Sequence, residues 1–203
     1  MKKYVMALCC AMASLWANAD TDATEQLLQA LKPMQSLEGR FEQRQYDQNQ
    51  VLIAQSRGVF KLLRPGYFYW EIESPGSQLI VATNEYIWHH DRDLETVTRR
   101  PVDNSEQMSP LQVLGGDENL LRESFTVTRV SASSYSLTPN GINPGFSSLV
   151  VTFNGVRFND LEIIDNLNQK VVISFTYPEA QTTLTDRDFL FTPPEGADLF
   201  YYD

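Results

Sequence analysis

Cysteine is confined to the start of the chain: Cys9 and Cys10 are the only two in 203 residues. Thiol catalysis, structural disulfides and cysteine-ligated metals are therefore excluded from the remainder. Histidine is scarce too, with only His89 and His90. Adjacent residues on a strand point to opposite faces, so the pair cannot share one metal ion there. This pattern reads as surface or edge histidines beside a turn. Basic residues are few: 16 Lys and Arg stand against 26 Asp and Glu, a formal net charge of −10. Such a surface repels phosphates, and with no basic stripe a nucleic-acid partner is excluded. Past the N-terminus no apolar run is long enough to span a bilayer as a helix.

Catalytic signatures are also missing. The chain contains no G-x-S-x-G, H-E-x-x-H, P-loop or G-x-G-x-x-G. Asp91-Arg92-Asp93 and Asp186-Arg187-Asp188 read as turns, because the further ligands and glycine of a calcium loop are lacking. Glu38, Glu42, Glu71 and Glu73 fall on polar strand faces, with nothing to set two of them across a shared cleft. No nucleophile or general base can be nominated, so no catalytic activity is assigned from these residues.

What is present starts with an export signal. Lys2-Lys3 is a basic lead, Tyr4 to Trp16 is mostly apolar, and Ala17-Asn18-Ala19 has the small-x-small form of a cleavage site. Residues 1–19 therefore read as a cleaved signal peptide and 20–203 as one exported domain. Cys9 and Cys10 come too early in the apolar run to mark lipid attachment.

Asp22 and Glu25 have capping-box spacing, and Leu27, Leu28 and Leu31 make one helical stripe that Pro33 should end. The period then changes to two. Leu37, Gly39, Phe41 and Gln43 alternate with Glu38, Arg40, Glu42 and Arg44, as a sheet with one wet face requires. Gly58, Phe60 and Leu62 continue the pattern, and so do Phe68, Trp70 and Ile72. Turns are expected at Arg64-Pro65-Gly66 and Pro75-Gly76, and a hairpin at Asn154-Gly155. Ser109-Pro110 has the form of a helix start, with Leu111, Val113 and Leu114 behind it and Gly115-Gly116 to stop it. A second helical turn is expected at Asp117–Glu123. Further strands follow, the last at Phe189–Thr192. The total is about ten or eleven, in one strongly curved antiparallel sheet with helices against one face. Most of the apolar alternation is core, but part of it can line a cavity, and periodicity alone does not separate the two. The short apolar stretch Pro110–Leu114 has the look of a cover, which the donors of Arg64 could clasp through backbone carbonyls.

Arg64-Pro65-Gly66-Tyr67-Phe68-Tyr69-Trp70, Leu79-Ile80-Val81 and Tyr86-Ile87-Trp88, with Phe41-Glu42-Gln43 before them and Phe189-Leu190-Phe191-Thr192-Pro193-Pro194-Glu195-Gly196 after, resemble the outer-membrane lipoprotein carrier family, LolA. The resemblance implies an unclosed antiparallel β-barrel of about eleven strands, lidded by short helices over a hydrophobic cavity. It implies a monomeric periplasmic chaperone for lipoprotein acyl chains. Such a carrier loads at an inner-membrane ABC release complex (LolCDE) and delivers to an outer-membrane receptor (LolB), with no cofactor. On matching positions, Phe41, Phe60, Phe68, Trp70, Ile72 and Val81 would form the cavity wall. Leu111, Val113 and Leu114 would lie on the lid, and Arg64 would hold it shut. The chain departs from the expected pattern at Pro33 in the N-terminal helix and at Gln112 in the lid. A carrier of another amphiphile, a lipid-acting enzyme and a sensor or adaptor remain alternative readings of the same pattern.

Overall fold

A computed structural model describes residues 17–102, 115, 118–141, 145–180 and 183–202. The lid stretch with Leu111, Val113 and Leu114 lies outside the described residues, as does the sequence before Ala17. The elements are α1 (Ala17–Leu31), β1 (Ser36–Tyr46), β2 (Leu52–Leu63), β3 (Tyr67–Ser74), β4 (Gln78–Ala82), β5 (Tyr86–Asp91) and β6 (Thr96–Pro101). There follow α2 (Glu118–Ser124), β7 (Phe125–Ser131), β8 (Ser134–Pro139), β9 (Ser148–Asn154), β10 (Arg157–Ile164), β11 (Lys170–Thr176), a 3₁₀ turn (Asp186–Phe189) and β12 (Asp198–Tyr201).

One sheet holds all twelve strands, in the order β12-β6-β5-β4-β3-β2-β1-β11-β10-β9-β8-β7. Its ends, β12 and β7, are not paired to each other, so the barrel is unclosed. Every neighbouring pair is antiparallel except β12, which runs parallel to β6. From β1 to β6 and from β7 to β11 each strand pairs with the next in sequence, and β1 joins the two halves by pairing with β11. Two glycines let rings lie flat on the inner face. A Cβ on Gly58 would sit 2.9 Å from the Phe41 ring, and one on Gly39 would sit 3.0 Å from the Phe60 ring, both also colliding with backbone carbonyl oxygens. At the β9–β10 hairpin the positive φ falls on Gly155 alone, with Val156 as the second loop residue.

Two expectations are corrected. The helix runs from Ala17, so Asp22 and Glu25 lie inside it rather than at its start. Pro33 follows the last helical residue, as its missing N–H requires. Phe189–Thr192 is not a strand. The Asp188 carboxylate accepts from the Thr185 amide (2.8 Å) and hydroxyl (3.1 Å), which winds Asp186–Phe189 into a 3₁₀ turn and turns Phe189 onto the sheet. The last strand is instead β12, a four-residue segment too short to show alternation.

Pairing fixes two faces. The inner one carries Leu37, Phe41, Phe60, Leu62, Phe68, Trp70, Leu161, Ile173 and Phe175, packed in one cluster with Leu27, Leu28 and Leu31 of α1. The outer one carries a smaller cluster: Leu79, Val81, Leu184 and Phe189, with Tyr67, Tyr69, Trp88 and Phe191 against it.

Candidate functional site: the inner face and its cover

Rings cross the inner face from strand to strand. Tyr135 on β8 meets Phe153 at 6.0 Å between centroids, Phe153 meets Phe158 at 5.7 Å, and Phe158 meets Phe175 at 6.1 Å. Phe175 stands edge-on to Phe60 at 4.9 Å, and Phe60 lies 6.5 Å from Trp70. Trp70 is stacked on Phe41 at 3.4 Å and on Phe68 at 5.8 Å. Broad faces in contact give a wall of large apolar area without demanding one partner shape.

Of the residues expected on the wall, Phe41, Phe60, Phe68 and Trp70 are buried on this face, and half-buried Ile72 packs beside them. Val81 is not there. It pairs with Tyr69 in the β3–β4 ladder, which puts it on the outer face in the Leu184–Phe189 cluster. Leu79-Ile80-Val81 is apolar throughout because both faces of β4 are covered, so the run carries no alternation from which to read a face. His90 also departs from expectation. It is buried on the outer face, 5.8 Å from the Phe191 ring, while His89 is exposed on the inner side. Burial, with Arg92 and His89 nearby, holds the His90 imidazole below its ordinary pKa.

The described cover is α1. It lies along β7 and α2 and sends Leu27, Leu28 and Leu31 into the inner cluster, with exposures of 0%, 5% and 0%. Three arginines tie it down. Arg64 Nη1 donates to the Leu31 carbonyl at 3.1 Å, a last-turn carbonyl that also accepts from the Met34 amide at 3.0 Å. Arg122 of α2 forms an ion pair with Glu25, and Arg129 Nη1 of β7 donates to Gln26 Oε1 at 2.9 Å. Arg64 is half-buried: burial pulls its pKa down, and Glu118 acts in the opposite direction. The same β2–β3 turn reaches a second part of the chain. The Gly66 amide donates to the Gly115 carbonyl at 2.9 Å, and Gly115 packs so closely on Leu62 that a Cβ there would lie 2.6 Å from it. Arg64–Gly66 therefore holds the end of α1 and the segment just past the expected lid.

Sequence reasoning missed Tyr135, Phe153, Phe158 and Phe175, although alternation along β8 to β11 carried the signal. It also missed Arg122 and Arg129, whose partners lie 97 and 103 residues away, a separation that leaves no local pattern. Tyr177 closes the wall beside Phe60 at 5.9 Å; its hydroxyl donates to the Phe158 carbonyl at 3.0 Å, and burial raises its pKa. Among the described residues no group of three His, Cys, Asp or Glu side chains converges to hold a metal ion.

A family model described as "Outer membrane lipoprotein carrier protein LolA" matches residues 32–192. An outer-membrane lipoprotein carrier protein of Alcanivorax borkumensis is 33% identical over 98% of each chain. One from Pseudomonas fluorescens is 33% identical over 93% of each. Among solved structures, a LolA superfamily protein from Nitrosomonas europaea is similar at 11% identity and a TM-score of 0.49, covering 83% of this chain and 98% of that one.

Proposed function

The chain belongs to the outer-membrane lipoprotein carrier family, LolA, and from that premise we propose that its inner face shelters lipoprotein acyl chains when α1 swings aside. The observation that carries this reading is the Arg64–Leu31 bond, one of three arginine contacts that fasten an amphipathic helix over an aromatic wall.

Each acyl methylene left in water costs about 0.8 kcal/mol relative to an apolar site, so a triacylated protein does not leave a membrane unaided. A carrier must supply apolar area and also give it back. Acyl methylenes entering the inner face replace Leu27, Leu28 and Leu31, so apolar contact is exchanged and little of it is lost. The balance then rests on polar bonds. A hydrogen bond to a charged group contributes roughly 1.5–3 kcal/mol, a range that cargo or a docking partner can shift. Loading breaks the Arg64 bond, and delivery restores it.

Phe41, Phe60, Phe68, Trp70 and Ile72 serve as wall, Arg64 as latch, and Leu111, Val113 and Leu114 as a further part of the lid. The work is done in the periplasm without bond making or cofactor. The chain loads from an inner-membrane ABC release complex of the LolCDE kind and delivers to a LolB-like receptor at the outer membrane.

The test is extraction. Vesicles carrying a triacylated lipoprotein are incubated with the chain, and native mass spectrometry is run on the soluble fraction. A soluble complex of chain and lipoprotein is the expected result. Recovery of the chain with diacyl phospholipid in place of lipoprotein would instead mark a carrier of another amphiphile.

A further inference from the structure

We infer that the open edge of β12 is a strand-addition site for an extended, basic-flanked apolar segment of a partner polypeptide. The inference does not rest on the carrier reading.

In the parallel β12–β6 ladder the Asp198 amide donates to the Glu95 carbonyl and the Tyr202 amide to the Arg99 carbonyl, each at 2.9 Å. Residues of a parallel strand alternate in direction, so Phe200 also faces β6 while the N–H and C=O of Leu199 and Tyr201 face away. Those are the edge of the sheet, and among the described residues no further strand lies beyond it. The side chains are open as well: Leu199, Phe200, Tyr201 and Tyr202 are 44%, 49%, 50% and 61% exposed. Apolar surface on both faces is what alternate residues of an added strand pack against.

The two edges of the sheet are treated differently. At β7 a register shift between Arg129 and Ser131 interrupts the ladder and α1 lies along the strand, two recognised ways of blunting an edge. β12 has neither. It is also held in place, because the Arg99 guanidinium sits 4.5 Å from the Tyr201 ring centroid, 4.4 Å from Tyr86 and 5.7 Å from Trp88. An incoming strand meets an ordered template and need not pay to order it.

Charge selects the occupant. Glu95, Glu195 and Asp198 are exposed at the N-terminal end of the strand, Arg99 at the other end is taken up by the Tyr86, Trp88 and Tyr201 rings, and the chain carries −10 overall. A second copy would bring a chain of net charge −10 against another, whereas a segment flanked by Lys or Arg is drawn to the acidic end of the strand.

The experiment uses the full chain, amide hydrogen exchange by NMR, and a synthetic peptide of alternating Val and Thr capped by Lys at both ends. Bound peptide should slow exchange at Leu199 and Tyr201 by about tenfold or more, leaving Phe200, already bonded to β6, unchanged. Leu199→Pro removes an outward N–H but no β6 bond, and should abolish the effect, while Leu199→Ala keeps it. No added protection, or protection that survives Leu199→Pro, overturns the inference. Slowing that grows with protein concentration in the absence of peptide also overturns it, since the occupant would then be a second copy.

Discussion

The two apolar clusters of this sheet are sealed in different ways. On the outer face the chain itself closes the patch: the 3₁₀ turn drives Phe189 in to 1% exposure beside Leu184, and the Tyr67 and Trp88 rings meet Phe189 and Phe191 at 5.6 and 5.4 Å. On the inner face a helix closes a much larger patch, and polar bonds to Arg64, Arg122 and Arg129 hold it. Removing the outer seal exposes aromatic surface that nothing else covers. Removing the inner seal exposes leucines and rings that an acyl chain covers equally well. A cover that is exchangeable for a ligand must be held by bonds the ligand does not replace, and the inner face meets that condition.

Deleting the outer seal should therefore have the largest effect on stability. Phe189→Ala is expected to cost about 3–5 kcal/mol in denaturant unfolding, with lipoprotein extraction by the remaining folded protein unchanged. If extraction fell in step, the two faces would not be independent.

Arg64→Leu should act the other way round. Amides of α1 should exchange faster by the worth of one charged hydrogen bond, roughly 1.5–3 kcal/mol, while global unfolding moves less. The variant should load cargo and release it poorly. Normal delivery to a receptor would remove Arg64 from the latch.

Glu25→Gln should loosen the same helix by less than about 1 kcal/mol, because the Arg122–Glu25 pair is solvent-exposed. Its effect should fade as salt is raised.

A smaller effect separates the faces by pH. On the outer face Tyr69 donates to Glu71 at 2.6 Å, and Arg92 pairs with that carboxylate at 2.6 Å. Burial, and then the bond to Glu71, push the Tyr69 hydroxyl from 10.0 to about 12. Below its ordinary value folded and unfolded states both keep the proton, and the contribution is fully present. As pH rises from 10.0 towards about 12 only the folded state keeps it, so the contribution is lost. Tyr69→Phe should flatten that alkaline limb in denaturant titrations without altering α1 exchange.

The fold was readable where one face of a strand is wet. Along β1 and β2, Glu38, Arg40, Glu42 and Lys61 mark one side, and the apolar partners fall where alternation puts them. It was not readable in β4, where apolar cover on both sides erases the period and hid the outward direction of Val81. Nor was β12 visible, since four residues carry no pattern and their partner β6 lies about a hundred residues earlier in the chain. For the site, Arg64, Phe68 and Trp70 stood out because a Pro-Gly turn and a ring-rich strand lie next to each other in sequence. The partner of Arg64 did not, because a backbone carbonyl leaves no mark on composition. The remaining latches join residues that meet only once the sheet has wrapped.

The central claim is that acyl chains lie against the inner wall and not the outer patch. Trp70 and Trp88 sit on opposite faces, so a triacylated lipopeptide brominated along its acyl chains distinguishes them by short-range fluorescence quenching. The account predicts strong quenching in the parent chain that persists in Trp88→Phe and is largely lost in Trp70→Phe. Quenching that survives Trp70→Phe and disappears in Trp88→Phe would contradict it.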